Sequence, residues 1–94
     1  MKGGIKMGRE IRPLKYGLRL SKMERGRKYR LELPMRPTNV RDFRNTPWER
    51  IEQLIRETAD RYPLVHPNVE GIIEVFHQLH ELLNELTEEG SLPL

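Results

Sequence analysis

The side chains best equipped for chemistry in this sequence are its cations. Residues 1–30 hold eleven Lys or Arg against two acids, Glu10 and Glu24, a local net charge of +9. Residues 31–94 hold six Arg against twelve acids, a local charge of −6. No Lys or Arg follows Arg61, while Glu70, Glu74, Glu81, Glu85, Glu88 and Glu89 do. A chain with one basic and one acidic end either attracts anions at its basic end or neutralises itself, within or between copies. Arginine outnumbers lysine twelve to five. Its planar fork fits phosphate and carboxylate equally, so the bias does not choose between them.

Other chemistries are poorly supplied. The chain has no cysteine, which excludes disulfides, zinc ribbons, iron–sulfur clusters and thiol catalysis and agrees with a reducing compartment such as the cytoplasm. Glu74 and His77 have the E-x-x-H spacing of carboxylate-bundle metal sites, with His80 and Glu81 close by. Glu74, His77 and Glu81 fall opposite the apolar seam of their helix and the other helix has no histidine, so no metal site is expected. Ser21 and Ser91 have neither a neighbouring His with a supporting acid nor a nucleophile-elbow context. The glycines at 3, 4 and 8 precede no strand–helix unit, and no G-K-[ST] occurs. No catalytic residue, cofactor or enzymatic activity is therefore expected.

The elements that must position the cations can be read from hydrophobic periodicity. Ninety-four residues, 36% hydrophobic and 33% charged, suffice for one small core. Residues 1–12 read as a flexible basic arm, interleaving Gly with Lys and Arg. The arm has no apolar stretch of the secretory-signal kind, and no run approaches the ~20 apolar residues of a membrane span. A single domain is expected over 13–90, with a short tail at 91–94.

Within that domain residues 14–33 predict a β-hairpin. Leu14, Tyr16, Leu18 and Leu20 alternate with polar residues, as do Tyr29, Leu31 and Leu33. A four-residue loop, Met23 to Gly26, suits a type I turn. Closing it with Lys22 opposite Arg27 sets Leu20 across from Tyr29 and Leu18 across from Leu31, with all apolar side chains on one face. Arg19 then lies directly opposite Arg30. Residues 34–45 predict a connector punctuated by Pro34, Pro37 and Asn39, pinned to the core by Val40 and Phe43. Residues 47–62 predict a helix with Thr46 as N-cap, Pro47 at its first position and Glu49 completing a capping box. Its seam is Trp48, Ile51, Ile55, Thr58 and Tyr62, and Glu52–Arg56 and Glu57–Arg61 are favourable i,i+4 pairs. Residues 67–89 predict a second helix, with Pro67 in its first turn and Gly90 past its end. Val69, Ile72, Phe76, Leu79, Leu83 and Leu86 form its seam, flanked by Ile73, Val75 and Leu82.

The expected architecture is α+β: a basic hairpin packed by its Leu/Tyr face on two antiparallel helices. Its outer face would carry Lys15, Arg19, Lys28 and Arg30, with Lys22, Arg25 and Arg27 at the closing end and Arg9 and Arg12 on the arm. Like charges at directly paired positions destabilise a sheet, and an external anion would relieve the Arg19–Arg30 contact. A two-stranded ribbon also fits the major groove of DNA. The expected function is non-enzymatic binding of DNA or RNA, with phosphate contacts made by Arg9, Arg12, Lys15, Arg19, Lys22, Arg25, Arg27, Lys28 and Arg30. The rival expectation is a protein-interaction module whose basic hairpin meets an acidic protein surface. In that reading the broad apolar arc of helix 67–89 serves a homo-oligomer.

Overall fold

A computed structural model of the chain describes residues 10–23 and 27–88. Three strands come first: β1 (Glu10–Pro13), β2 (Arg19–Lys22) and β3 (Tyr29–Glu32). Three helices follow: α1 (Pro37–Asn45), α2 (Trp48–Arg61) and α3 (Val69–Glu88). The strands form one antiparallel sheet in the order β1-β2-β3. The fold is α+β, as the periodicities required.

The hairpin differs from expectation in extent and register. The first strand does not run on from Leu14 to Ser21. It breaks at Tyr16 and Gly17, whose φ values of 62° and 81° give a tight turn, closed by Leu18 N–H to Lys15 C=O at 3.2 Å. Two consecutive positive φ values are the type I′ signature that matches strand twist. The turn sends residues 10–13 back along β2, so part of the segment read as a flexible arm is an edge strand, with Arg12 opposite Leu20. An isolated Gly inside a strand pattern marks such breaks.

The register between β2 and β3 is shifted two residues from the expected one. Arg19 pairs with Glu32, Leu20 with Leu31, Ser21 with Arg30 and Lys22 with Tyr29. A slip of two keeps every side chain on its face while changing every partner. The hydrophobic pattern is therefore satisfied by either register. The observed one sets opposite charges across from each other, Arg19 Nη2 lying 3.3 Å from Glu32 Oε1.

The segment expected as an irregular connector holds α1. Pro37 sits in its first turn, where a missing N–H costs nothing. Phe43 is fully buried, as the pinning role required. Thr46 does not cap the helix after it. Its hydroxyl donates to the Asp42 carbonyl (2.7 Å) and its N–H to the Phe43 carbonyl, so it ends α1. Helix α2 starts at Trp48 without a side-chain cap, and the capping box is not formed. Asn68 begins α3 instead, its Oδ1 accepting the Gly71 N–H at 3.1 Å. Gly90 and the tail lie outside the described residues.

The core joins sheet and helices. Leu18 packs with Phe43, Ile51, Ile55, Ile73 and Phe76, with Leu31, Leu33 and Trp48 partly buried against them. Of the expected α2 seam, Ile51, Ile55 and Thr58 are buried and Trp48 is partly buried against the core. On α3, Ile73 and Phe76 go deepest, while Val75 and Leu82 are each 51% exposed. His80 fastens the helices together. Its Nε2–H donates to the Thr46 carbonyl (2.8 Å), and its ring meets Phe43 and Trp48 at 5.3 and 5.7 Å.

Candidate functional site

The nine cations expected to contact phosphate do not share one ribbon face. Arg9 and Arg25 lie outside the described residues. Arg19 and Arg30 have the same strand parity but different situations. Arg19 is half-buried and tied to Glu32, with its Nε–H buried and unpartnered. Arg30 is exposed opposite Ser21. They are not cross-strand partners, so the expected like-charge penalty does not exist, and Arg19 leaves the set of available cations. Lys15 sits in the turn at the far end of the sheet, beside Arg50, Gln53 and Glu57 of α2.

What the fold does gather is at the opposite end, where β2 passes to β3. Lys22 lies across from Tyr29 on the same face as Arg12 and Leu20, while Lys28 and Arg30, both exposed, project from the other face of β3, and Arg27 is exposed just before them. Arg12, on the outer strand, places its guanidinium 6.0 Å from the centre of the Tyr62 ring, with a long hydrogen bond of 3.4 Å to the Tyr62 hydroxyl. Tyr62 in turn meets Tyr29 edge-on at 4.9 Å. A cation over an aromatic face is held by the ring quadrupole. Arg12 is thus positioned without losing its charge. Among the described residues Arg12, Lys22, Arg27, Lys28 and Arg30 have no carboxylate partner, whereas α2 and α3 pair their own charges through Arg56, Glu52 and Glu70.

Tyr62, expected on the helical core stripe, takes its place here instead. It follows the last turn of α2, and Pro63 extends the chain alongside β3. Tyr29 N–H donates to the Pro63 carbonyl and Val65 N–H to the Tyr29 carbonyl, each at 2.8 Å. The sequence carries no periodic signal for this parallel bridge between Tyr29 and Leu64. Only Pro63 as a helix terminator was readable.

The histidine cluster serves packing. The His77 ring lies 4.6 Å from Trp48, and its Nε2 is 3.6 Å from a Glu81 oxygen. Among the described residues no three His, Asp or Glu side chains come together as a cation site. No helix among them is long and apolar enough to cross a membrane. Comparison with protein-family models, with curated proteins and with solved structures returns no match.

Proposed function

We propose that the protein binds the phosphate backbone of a nucleic acid with the β2–β3 end of its sheet, without catalysing a reaction. The observation that supports it is that five cations at this end of the sheet, Arg12 and Lys22 on one face, Lys28 and Arg30 on the other and Arg27 beside them, are none of them paired with a carboxylate among the described residues. Unpaired cations wrapped around one end of a sheet retain their attraction for an anion, and each phosphate neutralised releases condensed counterions. Arg9 and Arg25 belong to the same basic segment by sequence. Arg19 contributes to the sheet and not to the contact.

Fluorescence anisotropy with a duplex DNA probe and a single-stranded RNA probe, at about 50 and about 200 mM salt, tests this directly. Binding should weaken steeply with salt. Replacing Arg27, Lys28 and Arg30 by Ser should lower affinity and flatten the salt slope by about one unit per cation removed. Absence of retention on both probes at the lower salt would rule the function out.

A second reading, a self-associating interaction module, is favoured by one observation. Val75 and Leu82, seven residues apart on α3, each expose half their surface, and residues at that spacing share a helix face. Sedimentation without nucleic acid measures it. A monomer at every concentration and salt would exclude it.

A further inference from the structure

The outer edge of β3 is half occupied. Strand pairing turns the N–H and C=O of residues 28, 30 and 32 towards β2, as Met23 N–H to Lys28 C=O at 2.9 Å fixes. The backbone groups of 29, 31 and 33 therefore point outwards. Those of Tyr29 are taken by Pro63 and Val65. Those of Leu31 meet no partner among the described residues: the chain leaves the edge after Val65 and enters α3 at Val69. An open strand edge is a template for another strand.

Beside this edge lies a groove of about 710 Å³ between β3 and α3. Its two sides differ in chemistry. Towards the helix it is lined by Leu64, Ile72, Val75 and Phe76, and Val75 is half exposed there. On the other side stand Arg30, free of any carboxylate among the described residues, and Arg19, neutralised by Glu32. Side chains of an added strand would point alternately to these two sides, because strand side chains alternate.

We propose that this groove binds an extended peptide segment of a partner protein by strand addition to β3. The segment pairs its backbone with Leu31 and continues the line that residues 63–65 begin. The open edge admits about four residues at ~3.3 Å each. Its side chains are apolar where they face Ile72, Val75 and Phe76, and acidic where they face Arg30. The main chain supplies affinity and the alternating sides supply selectivity. The groove is separate from the proposed phosphate contact at Arg12, Lys22, Arg27 and Lys28, sharing only Arg30, so peptide binding stands whether or not nucleic acid binds.

The test uses the full chain and a phage-displayed library of random heptapeptides, with the enriched peptides synthesised and titrated. They should carry apolar residues at alternate positions with Asp or Glu between them. Amide hydrogen exchange should show the Leu31 N–H exposed in the free protein and protected in the complex. Val75→Glu lies on an exposed position and leaves the core intact. It should weaken binding at least about tenfold, the scale of a central contact. Arg30→Glu should shift selection from acidic to basic residues. Failure to enrich any peptide, enrichment of peptides that leave Leu31 unprotected, or selection unchanged in the Arg30→Glu variant would overturn the proposal. So would protection of the Leu31 amide in the free chain, because a second copy or another part of the chain would then already hold the edge. Nucleic-acid binding measured on the uncharged Val75→Ser variant reads out independently and should be unchanged.

Discussion

Gly17 bears more of the fold than any charged residue does. Its φ of 81° lies where side chains are strained, and a Cβ there would overlap the backbone carbonyl of Asn39 in α1. The turn and the first helix of the connector are thus fitted to each other through one hydrogen atom. Gly17→Ala should destabilise the protein by about 2 kcal/mol or more, adding left-handed strain to a backbone clash, and urea denaturation measures it. The ion pair of the neighbouring strand has a more modest scale. A double-mutant cycle on Arg19→Ala and Glu32→Ala should give a favourable coupling of about 0.5–1 kcal/mol, as cross-strand opposite charges do. The same cycle on Arg19 and Arg30 should show none of the repulsion that direct opposition produces. A repulsive Arg19–Arg30 coupling would mean that the strands pair two residues out from the register described.

At the scale of elements, the sequence was legible where periodicity speaks and illegible where partners decide. The stripe of Ile51, Ile55 and Thr58 on α2, the existence of α3 and the inward face of Leu18, Leu20 and Leu31 followed from spacing alone, since burial selects a face. Register did not follow, because a two-residue slip satisfies the same faces and only Glu32 distinguishes the two. Helix α1 was hidden by Pro34 and Pro37, which read as breakers although Pro37 stands at the helix start. Thr46 illustrates the same ambiguity: a capping residue between two helices can serve either, and here it serves the earlier one.

Side-chain links between helices add to the packing. His80 spans from α3 to the end of α1 through a hydrogen bond and two ring contacts. His80→Ala leaves the Thr46 carbonyl without that donor and should cost about 1–3 kcal/mol by thermal or urea unfolding. Arg56 bridges α2 and α3 by reaching Glu70 at 2.8 Å while holding Glu52 at 3.0 Å. Its hydrogen bond to Glu70, with a coulombic contribution, holds that carboxyl below the usual glutamate range. A carboxyl with a depressed folded value stabilises above its unfolded value, and that contribution fades as pH falls through the folded one. Side-chain NMR titration should therefore find the Glu70 midpoint rising in Arg56→Gln. An unmoved midpoint would show that the bridge does not persist in solution.

For the whole molecule, the decisive feature is the separation of charge, +9 over residues 1–30 and −6 over residues 31–94. This much was plain in the sequence. The distribution of those cations between a rim, a turn and an internal ion pair was not, because it depends on where Gly17 turns the chain. The acidic face of α3, with Glu74, Glu81 and Glu85 exposed, repels a polyanion approaching the sheet, and that repulsion acts over a Debye length of ~10 Å at 0.1 M salt. Replacing these three residues by Gln removes no contact of the proposed phosphate site. Affinity for the nucleic-acid probes should rise, by about twofold or more at low salt, chiefly through faster association, and the gain should vanish as salt screens it. Anisotropy titrations and stopped-flow association across a salt series measure both effects. A loss of affinity in the Gln variant would mean that the acidic helix takes part in binding, and the sheet rim could not then be the contact surface.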